Sequence, residues 1–78
     1  MNANEAVKEL LNGKKLQAIY DSDDVFYQSY SNGRVARLHS QSYCSYRLVN
    51  VWEEIDFIKD HLNIEFSLYE SKETLQAV

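Results

Sequence analysis

The first apolar residues of the chain recur at helical spacing, which predicts a short amphipathic N-terminal helix. The residues on its apolar side are Ala3, Val7, Leu10 and Leu11. Asn2 stands just before this run and Glu5 follows three residues later, the spacing of a capping box. Gly13 predicts the end of the helix, because glycine adopts a left-handed conformation without steric cost.

Three segments with strand character follow the helix, over residues 16–20, 25–31 and 34–38. "DSDD" separates the first two and predicts a turn, since short polar side chains bond to their own backbone. Asn32-Gly33 separates the last two and predicts a two-residue type I′ hairpin, because both residues tolerate positive φ. These signals together indicate an antiparallel β-meander.

The second half of the chain opens with "HSQSYCSYR" at 39–47, which has no aliphatic residue and predicts a loop or an edge strand. Asn50 and Glu53 repeat the capping-box spacing and predict the start of a second helix. Its expected buried stripe consists of Val51, Ile55, Ile58 and Leu62. Alternation over 64–69 predicts a final strand.

These elements predict one α+β domain over residues 1–70, followed by a polar tail at 71–78. The expected order is α-β-β-β-α-β, with helices on one face of the sheet and the other face half exposed to water. The sequence contains no repeat, linker or low-complexity segment.

Charge and composition narrow the classes of function. The net charge of −4 argues against a general nucleic-acid-binding protein, which needs a basic surface. A lone cysteine, Cys44, excludes an internal disulfide and suits a reducing compartment. No apolar run reaches the length of about 20 residues that a membrane span needs, and the N-terminal residues lack a signal-peptide core. We therefore expect a cytoplasmic protein that does not bind membranes.

Catalytic and metal-binding patterns are weak. Cys44 and His39 lie five residues apart and would be the nucleophile and base of a small hydrolase, but this spacing does not place them in contact. Asp21 begins a calcium-loop-like run, yet Phe26 and Asn32 stand where glycine and glutamate are needed. We expect no catalytic residue, no metal site and no cofactor.

Tyrosine is unusually frequent, with six residues in a chain of 78. Its large apolar ring and polar tip suit interfaces and ligand stacking, and neighbouring arginines would add bidentate contacts to phosphate. Tyr27 and Tyr30 have opposite strand parity, so both cannot face the core. The candidate residues for binding a ligand or partner are Tyr27, Tyr30, Arg34, Arg37, Tyr43, Tyr46 and Arg47.

Three stretches of the chain carry a family resemblance: "NEAVKELLNGKKLQA", "NGRV" and "IEFSLYESKE". They resemble small phage- and prophage-encoded domains with a helix, Gly-Lys-Lys and a β-meander, a group that includes relatives of the second class of Thoeris anti-defence protein. The resemblance implies a non-enzymatic, oligomeric sponge for cyclic nucleotide-like immune signals. Many members carry arginine and tryptophan after Gly-Lys-Lys, where this chain has Gln17, Ala18 and Ile19.

The expected function is inhibition of bacterial host defence by a phage-type accessory protein. It would act by sequestering a nucleotide-like signal or by blocking a host protein, as an anti-CRISPR does. The alternatives are a structural or interaction domain of a phage and the small hydrolase. Uncovered aromatic surface on so small a domain also predicts a homo-oligomer, with a two-fold dimer as the leading form.

Overall fold

The computed structural model of the protein describes residues 1–41 and 45–69. Within them the chain forms an α+β domain, which confirms the predicted fold class. The elements are α1 (Ala3–Leu11), β1 (Leu16–Ala18), β2 (Val25–Tyr30), β3 (Arg34–Ser40), β4 (Tyr46–Trp52), α2 (Glu54–Asp60) and β5 (Phe66–Leu68). The five strands form one antiparallel sheet in the order β4-β3-β2-β1-β5, so β4 and β5 are its edges.

Helix α1 has both predicted end signals. The Glu5 N–H donates to Asn2 Oδ1 across 2.9 Å, and the Asn2 N–H donates to Glu5 Oε1 across 3.0 Å, which completes the capping box. Gly13 has φ 91°. The N–H groups of Gly13 and Lys14 return to the carbonyls of Leu10 and Glu9, so a Schellman motif ends the helix.

The hairpin between β2 and β3 forms at Asn32-Gly33, where the sequence predicted it. Asn32 and Gly33 have φ values of 63° and 74°, as a left-handed turn requires. The connection is one residue longer than predicted, because Tyr30 pairs with Arg34 and leaves the three-residue turn Ser31–Gly33. The turn still reverses the chain in register, so β2 and β3 pair along six residues of each strand.

Strand β4 occupies the segment where the sequence predicted the end of a loop and the start of a helix. Asn50 therefore does not cap a helix; it lies within β4, and its side chain accepts a hydrogen bond from the Val51 N–H. The register shifts between Arg37 and Leu38, whose partners are Asn50 and Leu48, so Val49 is an extra residue in a β-bulge. The bulge interrupts the alternation that would reveal a strand in the sequence.

Helix α2 presents a different side from the one expected. Glu53 is its N-cap residue, and the helix buries Phe57 against the core. Ile55 and Leu62 are 62% and 63% exposed, so the predicted buried stripe is wrong at both positions. Val51 lies in β4, and Ile58 alone of that stripe packs against the core from α2.

Both helices pack on the same face of the sheet, here called the covered face. Its buried residues form one cluster with α1 and α2: Ala3, Ala6, Val7, Leu10, Leu16, Ala18, Tyr27, Val35, Phe57 and Phe66. The strand residues of opposite parity form the outer face, which points away from both helices. Within residues 1–41 and 45–69, neither helix is long and apolar enough to cross a membrane.

Candidate ligand-binding site

Two neighbouring strands place three basic side chains on the covered face. Tyr27 pairs with Arg37 across β2 and β3, and His39 pairs with Arg47 across β3 and β4. Directly paired residues share a face, as do residues two apart on one strand, so Arg37, His39 and Arg47 point to the same side. These three residues, with Asp21 beside Arg37, are called the basic corner below.

Asp21 joins the basic corner from the turn after β1. Its N–H donates to the Ala18 carbonyl across 3.0 Å, which turns the chain back toward the sheet. The Arg37 Nη2 then donates to Asp21 Oδ1 across 2.9 Å. The Asp21 side chain is 1% exposed and that of Arg37 is 32% exposed. Burial raises the pKa of Asp21 although the Arg37 guanidinium acts in the opposite direction.

The basic corner and the adjoining Tyr27 contain buried polar atoms that have no hydrogen-bond partner among the residues described by the structure. They are Asp21 Oδ2, Arg37 Nε, His39 Nδ1 and Tyr27 Oη. Arg37 Nε is a donor, Asp21 Oδ2 an acceptor when ionised, and the other two take either role. Because buried polar groups are normally paired, a cluster of this kind suits a polar ligand.

The ring of Tyr27 belongs to the core, and only its hydroxyl contributes to the basic corner. Its ring is fully buried, 5.6 Å from the Phe57 centroid and 5.9 Å from Arg37 Cζ. Burial, followed by the nearby Tyr20 phenol and the Asp21 carboxylate, raises the pKa of Tyr27 well above its ordinary value. Tyr27 cannot stack on a ligand, but Tyr20 is 56% exposed beside it.

The remaining described candidates lie on the outer face. Arg34 pairs with Tyr30 in the hairpin, and its guanidinium lies 3.8 Å from Glu53. Tyr30 is 42% exposed and Tyr46 is 45% exposed, while Tyr27 is buried, which confirms that Tyr27 and Tyr30 point to opposite sides. Arg34 and Arg37 therefore do not converge on one ligand.

An aromatic cluster covers one end of the outer face. Phe26 is almost fully buried there, with its ring stacked on Tyr69 at 4.8 Å and edge-on to Tyr46 at 5.4 Å. The Lys15 ammonium lies 5.1 Å from the Phe26 centroid and 5.7 Å from that of Tyr46. The cluster gives this face a cation–π contact that is internal to the chain.

The other predicted chemistry has less support. Tyr43 and Cys44 lie outside the described residues, so the pairing of Cys44 with His39 stays a prediction. His61 is 5% exposed, stacks on Phe57 and has Nδ1 2.7 Å from the Phe57 carbonyl, so it is a core residue. Across residues 1–41 and 45–69, no three His, Cys, Asp or Glu residues are grouped to hold a metal.

The sequence did not single out Tyr20 or Asp21 as site residues. Tyr20 was expected to lie in the strand over residues 16–20, but β1 ends at Ala18 and Tyr20 lies exposed in the turn that follows. Asp21 looked like part of a solvated turn, although Arg37, sixteen residues later, draws it into the protein. This contact depends on tertiary structure, because Asp21 lies in the turn after β1 and Arg37 lies in β3.

Comparisons with known proteins identify no family for this chain. No protein-family model matches the chain, and neither a curated protein nor a solved structure does.

Proposed function

We propose that this chain is a non-enzymatic, phage-type accessory protein that inhibits bacterial host defence by sequestering a nucleotide-like signal at the basic corner. The supporting observation is the register of β3 and β4, which sets Arg47 directly opposite His39 and on the same face as Arg37. Arg37 Nε and His39 Nδ1 are buried there without partners among the described residues. The family resemblance in the sequence supports the same function.

The polar groups of the corner match the two chemical parts of a nucleotide-like molecule. Arg47 is exposed and, with Arg37 Nε, would donate to phosphate oxygens. Asp21 Oδ2 would accept a hydrogen bond from a ribose hydroxyl or a base amino group. Tyr20 offers an exposed ring on which a base would stack. A bare anion would leave the Asp21 acceptor unused and close to negative charge.

Sequestration requires binding and no bond cleavage, so the protein would act in proportion to its amount. One copy would remove one signal molecule for each corner that it carries. The defence response would then recover once the signal exceeds the number of sites. This dependence on stoichiometry separates sequestration from the small-hydrolase alternative.

Titration calorimetry with a series of cyclic ADP-ribose isomers tests the proposal. We expect wild type to bind at least one isomer and Arg47→Ala to weaken that binding by about tenfold or more, the loss typical of a charge-assisted contact. Arg34→Ala is the matched control, because Arg34 lies on β3 but faces the outer side. Unchanged isomers recovered after long incubation would support binding without turnover. No heat with any isomer would reject sequestration.

The second candidate function is the blocking of a host protein, as in an anti-CRISPR. The observation in its favour is the outer face, where Tyr30, Tyr46 and Leu48 are all between 42% and 45% exposed. Tyrosine and arginine are the residues that dominate binding energy at interfaces. Capture of a specific host defence protein that is lost in Tyr46→Ala, and not in Arg47→Ala, would favour this candidate. A phage protein without an anti-defence role would leave host immunity intact in an infection assay.

A further inference from the structure

The outer face is more apolar than the water-exposed face of an antiparallel sheet usually is. Its exposed side chains include Tyr46 and Leu48 from the edge strand β4 and Tyr30 from the far end of β2. Leu38 and Val51 lie half-buried between them. Such contiguous apolar surface on a small domain marks an interaction site.

The cations of this face have contacts within one chain. None of the strands carries an aspartate or a glutamate. The Arg34 guanidinium lies beside Glu53, and the Lys15 ammonium lies over the rings of Phe26 and Tyr46. Two such faces would therefore meet without cations that lack a contact. A strongly charged partner, in contrast, would find few free charges on this face to bind.

The size of the face matches a weak symmetric contact. The two short strands, β1 and β5, have three residues each, whereas β2 has six and β3 and β4 have seven each. At about 3.4 Å per residue and about 4.8 Å between strands, the face covers roughly 420 Å². Two copies would then bury on the order of 850 Å², which is in the range of weak, transient interfaces. A 78-residue domain also gains more from added burial than a larger one, because it buries a smaller share of its own surface.

We propose that a second copy of this chain packs its outer face against the first, forming a two-fold, sheet-on-sheet dimer with Tyr46 and Leu48 in the contact. Sheets packed in this way lie about 10 Å apart, and their side chains interdigitate. The two basic corners would point away from the contact, because they lie on the covered faces. The dimer is therefore independent of ligand binding.

Sedimentation velocity from low to high micromolar concentration tests the dimer. We expect the mass of wild type to rise from 9.1 kDa toward twice that value. Leu48→Arg places a charge in the contact and should raise the dissociation constant about tenfold or more. Ile55→Arg is the matched control, because Ile55 is 62% exposed on α2, and it should dimerise like wild type.

Tyr30→Ser provides a second variant at the other end of the face, and the melting temperature of each variant verifies that it folds. Weakened dimers in Tyr30→Ser and Leu48→Arg support the proposal. Wild type that stays at 9.1 kDa throughout overturns it, whether or not a host protein binds the same face. Loss of the dimer in Ile55→Arg, with Leu48→Arg unaffected, also overturns it.

Discussion

The Arg37 guanidinium donates a hydrogen bond to the Asp21 carboxylate, with 2.9 Å between Nη2 and Oδ1. The two side chains differ in burial, since that of Asp21 is 1% exposed and that of Arg37 is 32% exposed. Removal of Arg37 and removal of the Asp21 charge should therefore change the stability of the protein by different amounts. Without Arg37 a carboxylate is buried alone, whereas without the Asp21 charge the guanidinium still reaches water.

Arg37→Met should consequently destabilise the protein more than Asp21→Asn. We expect Arg37→Met to lower the free energy of unfolding by about 2–4 kcal/mol at neutral pH, because an unpaired charge stays buried. Asp21→Asn should cost less than about 1 kcal/mol, since burial already disfavours the ionised carboxylate. Urea unfolding measures both values, and Asp24→Asn in the same turn is the control. Equal losses in the two variants would contradict this account.

The difference in the free energy of unfolding between wild type and Arg37→Met, here called the stability gap, should depend on pH. Burial raises the pKa of Asp21, so the native state binds this proton more tightly than the unfolded chain does. The contribution of Asp21 is then present in acid and is lost as the pH rises through the native pKa. Arg37→Met raises that pKa further, because it removes the opposing charge.

Urea unfolding over a pH series should therefore show a small gap near pH 4, about the pKa of an aspartate in an unfolded chain, and a larger gap at neutral pH. A gap that stays constant from acid to neutral pH would show that Arg37 stabilises the protein through packing and not through the Asp21 charge.

The hydroxyl of Tyr27 should contribute little to stability. It is buried without a hydrogen-bond partner among the described residues, so its desolvation is not compensated by a bond. Tyr27→Phe should leave the free energy of unfolding unchanged or raise it by up to about 1 kcal/mol. Tyr27→Ala should lower it by about 3–5 kcal/mol, because it empties the centre of the core. A loss above about 1 kcal/mol in Tyr27→Phe would indicate a bond to a neighbour such as Tyr20.

The capping box of α1 provides a prediction about local stability. Asn2→Ala removes the side chain that accepts the Glu5 N–H and should cost about 1 kcal/mol. Asn4→Ala is the matched control, since Asn4 is exposed inside the helix, where alanine is the better helix former. Thermal unfolding of the two variants should separate them, and equal melting temperatures would show that the cap does not stabilise the fold.

The sequence predicted well those elements whose signals are local. Asn2 and Glu5 bond to each other, and Gly13 ends α1 through its own backbone conformation, so neither depends on distant residues. Asn32 and Gly33 likewise need only positive φ to turn the chain. In each case the interaction that forms the element lies within a few residues of sequence.

Strand β4 and the basic corner could not be predicted in this way. The bulge at Val49 breaks the period of two in β4, and Asn50 with Glu53 imitates a helix start. Arg37 contacts Asp21 and shares a face with Arg47, and both relations depend on tertiary structure and strand register. The alternation of positions along one strand predicted that Tyr27 and Tyr30 point to opposite sides. It could not predict which arginines share a face with Arg47, because Arg47 lies on a different strand.

The most direct test of ligand binding at the basic corner is a nuclear magnetic resonance titration of the arginine Nε–Hε groups with the cyclic ADP-ribose isomer that gives the largest calorimetric heat. The account predicts saturable shifts at Arg37 and Arg47, with Arg34 unchanged on the outer face. It also predicts that the shift at Arg37 needs at least about tenfold more ligand in Arg47→Ala than in wild type. Shifts at Arg34 alone, or no shift with any isomer in the series, would contradict it.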